Sequence, residues 1–292
     1  MPRFNPFRPY SIVTPGMFSG RIPEVLALEQ ALYQTRLGNP KNFLIHGERG
    51  IGKSSLLFYL QSLAQGNIPA PDGNHCSFLT ISIELEPAIT YVDLIKKIGA
   101  EFQRVVASQQ QLKEFLKNAW EFLKRWEVMG VKYSNQRTNG LEPHQLLDDL
   151  AYTVYSTLDA LGKNVDGALI LIDEADKPSP QANLGEFCKL FTERLSKRGC
   201  NRVALGLAGL PEVIERLRNS HESSPRIFEV LGLLPLEEAD RIEVVRKGLV
   251  EIKAKTGIEV KIAREAEQSI SHLSDGYPHF IQLTCPIFCT TS

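Results

Sequence analysis

The sequence has no long apolar run, no excess of charge and no cysteine framework. No stretch approaches the roughly 20 consecutive apolar residues that span a bilayer, and the opening MPRFNPFRPYSIVTPGMF is basic without an apolar run of signal-peptide length. A cytoplasmic protein with no membrane association is the expectation. Thirty-three Lys and Arg face 34 Asp and Glu for a net charge of −1, so no global field draws the chain towards nucleic acid or anionic lipid, and any DNA contact must be local. Cys76, Cys188, Cys200, Cys285 and Cys289 form an odd set, which suits free thiols better than disulfides. No internal repeat or low-complexity tract is present.

What is present is enough apolar material, 43% of 292 residues, to bury one α/β core and carry a smaller appendage. Apolar runs at Asn42 to His46, Phe78 to Leu85, Ala168 to Asp173, Val203 to Gly209 and Ile227 to Leu233 read as strands. Between them lie stretches of helical period: Lys53 to Ala64, a helix capped by Thr90, residues 109 to 128, and Pro143 to Leu161 ending at Gly162. Strands alternating with helices predict a mostly parallel sheet flanked by helices, with binding loops at the strand C-termini. From Glu237 the pattern turns helical, with Glu237 to Thr256 closed by Gly257 and a second helix over about Ala263 to Leu273. The expected division is a core over 1–236, with a helical insertion over about 101–165, and a short helical lid over 237–292.

The sharpest signal is GERGIGKS, Gly47 to Ser54, a full match to G-x-x-x-x-G-K-[ST] between an apolar strand and an amphipathic helix. Gly47, Gly50 and Gly52 let the backbone curl, so that the loop of Glu48, Arg49 and Ile51 turns its amides to phosphate at the positive end of the helix. Lys53 would reach the β- and γ-phosphates, the Ser54 hydroxyl would hold Mg²⁺, and Ser55 follows in the cradle. A second carboxylate site, Asp173 and Glu174, ends an apolar strand able to lie beside the first. Asp173 would orient Mg²⁺ and Glu174 would polarise the water that attacks the γ-phosphate of ATP. The letters Asp-Glu-Ala-Asp at 173 to 176 invite a helicase reading, but only 116 residues follow and no Ser-Ala-Thr motif occurs among them.

With these motifs in place, the chain resembles the AAA+ and STAND-like P-loop ATPases, in particular the origin-recognition-type and archaeal-type branch. Phe18-Ser19-Gly20-Arg21 with the following IPEVLALEQAL is similar to the F-x-G-R-x-x-E box that these families place one helix before the P-loop, which makes Gly20 and Arg21 base-proximal. LILIDEAD resembles the family's second motif, LAGLPEVIERL the segment after its fourth core strand, and LLPLEEADRIE the entry to its lid. GYPHFIQL is similar to the G-x-P motif of STAND-type lids, which places Pro278 at the nucleotide. The family position for an arginine finger, donated by a neighbouring subunit, falls on Arg226, with Arg216 and Arg218 as other candidates.

The resemblance implies an ATP- and Mg²⁺-dependent ATPase that acts as a regulatory switch in signalling or defence, assembling as a homo-oligomer or with a protein partner. The alternative is a DNA-associated loader or transposition helper, and a P-loop kinase stands third. Two departures imply slow hydrolysis: Leu207, Ala208 and Gly209 offer no polar sensor, and Pro278 and His279 stand where a lid arginine is expected. The end at Ser292, as a third lid helix forms, fits a truncated or minimal member. The basic set Lys113, Lys117, Lys124, Arg125 and Lys132 with Trp120 and Trp126 is diluted by Glu114, Glu121 and Glu127 and reads as a solvated helix face.

Overall fold

In the computed structural model, residues 4–70, 73–109 and 142–289 are described, so the tryptophan-bearing stretch at 109–128 and its basic residues lie almost wholly outside the described residues. The chain folds into two compact units, neither of them contiguous in sequence. The first gathers Met1–Ala27, Gly47–Ser62 and Gly232–Ser292; the second holds Leu28–His46 and Leu63–Leu231.

The second unit is built on the sheet. Its strands are β1 (Asn42–His46), β2 (Phe78–Glu84), β3 (Gly167–Asp173), β4 (Val203–Gly209) and β5 (Phe228–Gly232), and they lie in the order β2-β3-β4-β1-β5. The registered ladders of β2 with β3, β3 with β4 and β4 with β1 are all parallel. Every residue of β4 is buried, as is all of β3 before Asp173, which explains the unbroken apolar runs Gly-Ala-Leu-Ile-Leu-Ile and Val-Ala-Leu-Gly-Leu-Ala-Gly. The expectation that β3 lies beside β1 is corrected: β4 runs between them. Small residues make this fit, because a Cβ on Gly206 would stand 2.2 Å from Phe43 Cζ of β1 and 2.8 Å from Leu171 of β3.

The helices are α1 (Ile22–Arg36), α2 (Lys53–Ala64), α3 (Tyr91–Ser108), α4 (Pro143–Leu161), α5 (Leu184–Lys197), α6 (Val213–Ser220), α7 (Glu238–Thr256), α8 (Arg264–Leu273) and α9 (Pro278–Cys289). Thr90 closes a capping box at the start of α3: its hydroxyl accepts the Asp93 amide while the Asp93 carboxylate takes the Thr90 amide. Gly162 ends α4 and Gly257 ends α7, both at positive φ. The core of the sheet unit joins Leu94, Ile98 and Phe102 of α3, Leu147, Leu150 and Val154 of α4, and Phe187 and Phe191 of α5 to the faces of β2, β3 and β4. α5 was not read from the sequence, although Leu184, Phe187, Cys188, Phe191 and Leu195 repeat at helical spacing and are all buried.

In the first unit a smaller core collects Phe7, Met17, Leu236, Val244, Val245, Ile270, Ile281 and Cys285. The N-terminal segment therefore packs with the C-terminal helices. Phe7 seats against Gly248, where a Cβ would come within 2.2 Å of its ring, and the Arg8 amide donates to Gln282 Oε1 at 2.8 Å. The third C-terminal helix, α9, runs from Pro278 to Cys289.

Candidate phosphate cradle and carboxylate edge

The chain leaves β1 at His46 and enters Gly47–Gly52 before α2 starts at Lys53. Gly50 has φ +76° and Gly52 φ +104°, the second a conformation that a side chain strongly disfavours. The first helical bond, Leu56 N–H to Gly52 O at 3.0 Å, follows directly. The positive end of α2 thus opens on the loop. Lys53 Nζ donates to the carbonyls of Gly47 (2.7 Å) and Glu48 (2.9 Å). Glu48, Arg49 and Gly50 are exposed, while Gly47 and Ile51 are buried.

Arg21 braces this loop from behind. Its backbone is left-handed, φ +61°, and its guanidinium donates to Ile51 O at 3.1 Å and pairs with Glu24 at 3.7 Å. Burial draws its pKa below the usual arginine value, while Glu24 and Asp240 pull it back up. Gly20, φ +70°, packs where a Cβ would meet the Asp240 carboxyl at 2.7 Å. Ser55 Oγ accepts the Val13 amide at 3.3 Å, Phe18 stacks on Tyr59 with centroids 5.2 Å apart, and Lys247 donates to Phe18 O at 2.6 Å. From the C-terminal helices, the His279 amide donates to Gly50 O at 3.3 Å and its Nδ1 donates to Pro9 O at 2.9 Å, so this histidine ties loop, N-terminal segment and α9 together.

A slot opens among these parts. It is lined by Val13, Phe18, Ser19, Arg21, Ile51, Gly52, Ser55 and Pro278, among others, and encloses about 390 Å³ counting its open mouth. Ser19, 8% exposed, lines it with a hydroxyl that has no hydrogen-bond partner among the described residues. A buried donor and acceptor left unmade costs about 1–3 kcal/mol, and a ligand in the slot would relieve it. Ser19 was missed from the sequence because a serine beside a glycine carries no signal until its burial is known.

The carboxylates sit at the C-terminal edge of the sheet. Asp173 ends β3 opposite Glu84, the last residue of β2, and its Oδ1 accepts the Glu174 amide at 2.8 Å. Its own carbonyl accepts the Leu85 amide at 3.1 Å, and Ala175 N–H donates to Ala208 O at 2.8 Å, so both neighbouring strands hold the turn. Glu174 is left-handed at φ +55°, a conformation that concentrates at functional sites. The missing polar sensor at the end of β4 has a steric reason: a Cβ on Gly209 would lie 2.9 Å from Asp176 Oδ1, which accepts the Leu210 amide at 2.8 Å. Arg226, in the turn Ser224–Ile227 before β5, is exposed and has no side-chain partner among the described residues.

Within the first unit the residue types fit a triphosphate, with a glycine-permitted curl at a helix N-terminus, an ammonium engaged with loop carbonyls and a hydroxyl at Ser54; within the second, the carboxylate at the end of β3 is of a type that suits magnesium. Among the described residues no group of three or more His, Cys, Asp or Glu could hold a metal without such a ligand, and no helix is long and apolar enough to cross a membrane.

Residues 18–198 match the AAA ATPase domain family. An uncharacterised HTH-type transcriptional regulator of Methanocaldococcus jannaschii is 23% identical over 290 residues, which is 97% of this chain and 66% of that protein. Among solved structures, the Aeropyrum pernix ORC2 protein in its ADPNP–ADP complexes superposes with a TM-score of 0.57 at 15% identity, over 93% of this chain and 63% of that one. Cdc6p from Pyrobaculum aerophilum gives 0.57 at 17% identity, over 96% and 62%. The chain thus spans a little under two thirds of the length of each of these relatives, and the structural likeness is one of fold.

Proposed function

This chain belongs to the AAA ATPase domain family, and on that premise we propose that it binds ATP with Mg²⁺ at Gly47–Ser55 and hydrolyses it slowly, as a nucleotide-driven switch. The observation that carries the reading is the cradle itself, with Gly50 and Gly52 already at positive φ and, in the adjoining slot, a Ser19 hydroxyl without a partner among the described residues. Lys53 exchanges its bonds to the Gly47 and Glu48 carbonyls for phosphate oxygens, and the Ile51 turn, braced by Arg21, keeps the loop in shape. Ser54 and Asp173 are the residues that would hold magnesium, which would supply charge neutralisation on the phosphates. Glu174 takes the proton of the attacking water.

The slot draws on the N-terminal segment, the loop and the C-terminal helices through Arg21, Gly52 and Pro278 and their neighbours, so a base bound there favours the arrangement in which all three meet. That coupling is the basis of the switch, and the helices of residues 237–292 act as its lid. Arg226 is the residue a neighbouring copy would offer to the γ-phosphate, where such a finger adds about 10³-fold or more to the rate. Signalling or defence is the role assigned to the switch, in the cytoplasm. A second reading, a DNA-associated role, is favoured by the name of the M. jannaschii relative, an HTH-type regulator.

Phosphate release from MgATP, measured for wild type and Glu174→Gln with and without duplex DNA, tests both. Release abolished by Glu174→Gln and indifferent to DNA supports the switch, and stimulation by DNA supports the second reading. Release that Glu174→Gln leaves unchanged removes the ATPase assignment.

A further inference from the structure

The end of β4 carries no polar side chain, and Asp176 Oδ1 stands 2.9 Å from where a Cβ on Gly209 would be, so β4 has no room for one. A neighbouring strand can supply it, and β1 ends beside that position on His46. In the parallel ladder Leu44 pairs with Leu207 and His46 with Gly209. Leu44, Leu207 and Ile172 of β3 belong to one core cluster on one face of the sheet, and side chains two apart along a strand share a face. His46 therefore stands on that face, next to the bare Gly209 and in the same compact unit as β3 and Glu174. On the other side of β4 the Ala175 amide ties the Glu174 turn to Ala208 O at 2.8 Å. With β4 alone between them, the strand ends that carry Glu174 and His46 are roughly 10 Å apart, a gap that two side chains close with a water between them.

His46 is half-buried, and its Nδ1 is buried with no hydrogen-bond partner among the described residues. Buried polar atoms are ordinarily bonded, so a ring nitrogen left open at this edge is available to a ligand. Asp176 cannot serve in its place. It is 8% exposed, its Oδ1 accepts the Leu210 amide at 2.8 Å, and a carboxylate repels a triphosphate. A neutral imidazole can donate from one nitrogen and accept at the other. We propose that His46 takes the place of the polar sensor that β4 lacks, its Nδ1 hydrogen-bonding to the water that Glu174 activates. The inference rests on Glu174 acting in hydrolysis.

His46→Phe keeps a planar ring and removes both nitrogens. It lowers kcat for ATP hydrolysis by about 2- to 12-fold, the worth of one neutral hydrogen bond in the transition state, and leaves KM for ATP and the affinity for ADP unchanged. Its thermal stability equals that of wild type, since no bond within the protein is lost. His46→Asn sets an amide close to the place of Nδ1 and restores most of the rate. The proposal is overturned if His46→Phe turns over as fast as wild type, if KM rises while kcat holds, or if His46→Asn is as slow as His46→Phe. A slowed His46→Phe that also melts earlier and binds ADP more weakly makes the histidine structural and overturns it too. A wild type without turnover, or hydrolysis that persists in Glu174→Gln, refutes the reading of Glu174 on which the inference rests. A dead Glu174→Gln beside an unaltered His46→Phe overturns the inference alone.

Discussion

Gly52→Ala isolates the conformational demand of the cradle. At φ +104° the residue lies where a side chain clashes with its own backbone, yet the space around it is open: the nearest atom to an added Cβ is Pro278 Cγ at 3.7 Å, an ordinary contact. The cost of the substitution is therefore backbone strain alone, of order 1–3 kcal/mol. If the loop keeps its shape, that strain appears as lost stability. If it relaxes, the amides leave their positions and the same energy appears as lost affinity, about 5- to 150-fold at about 1.4 kcal/mol per decade. The companion Gly16→Ala has no atom within 4 Å of the new Cβ and no positive φ, so it should change neither quantity. Fluorescence titration with an ATP analogue, run beside urea denaturation on both variants, reads the two together. A Gly52→Ala protein that matches wild type in both affinity and stability would refute the argument that the curl depends on glycine.

Other outcomes follow from burial. Gly206→Ala forces a methyl to within 2.2 Å of the Phe43 ring in the middle of the sheet, and thermal denaturation should show a loss of about 1–3 kcal/mol or more. Tyr91→Phe removes a buried hydroxyl that has no partner among the described residues, so denaturant unfolding should show no loss, and a drop above about 1 kcal/mol would contradict that isolation. Burial, with Glu186 adding, pushes the Tyr91 phenol up from 10 to about 12. The unfolded chain then gives up this proton first, and the stability contributed by Tyr91 is constant below pH 10 and falls as pH rises from 10 towards 12. Absorbance titration of wild type against Tyr91→Phe checks that sign. Ser19→Ala should leave stability unchanged or improved while weakening ATP by about 2- to 12-fold, the worth of one neutral hydrogen bond; a loss of stability with affinity intact would contradict the role given to its hydroxyl.

Much of this was legible because local chemistry carried it. The cradle announces itself through glycines whose φ values only glycine reaches cheaply, and Thr90, Gly162 and Gly257 mark helix ends for equally local reasons. Strand order is different: a parallel strand's crossover helix can return it to either side, so nothing in Val203 to Gly209 announced that β4 would separate β3 from β1. The packing of Gly206 against Phe43 and Leu171, visible only in three dimensions, supplies the reason it does. Tertiary proximity also hid the Lys177–Glu84 pair, whose members are 93 residues apart, and the slot beside Ser19. α5 was missed for a lesser reason, since its apolar spacing was there to be read. The grouping of Met1–Ala27 with Gly232–Ser292 comes from Phe7 and Met17 packing among Val244, Ile270 and Ile281, a long-range match that no local pattern encodes.

The most direct test of the account is calorimetric titration of the folded protein with MgATP, compared with Lys53→Ala. The account predicts saturable binding of one nucleotide per chain that the substitution weakens by tenfold or more, about 1.4 kcal/mol, since an ammonium is lost from the phosphates. No heat of binding in the wild type, or equal affinity in Lys53→Ala, would contradict it.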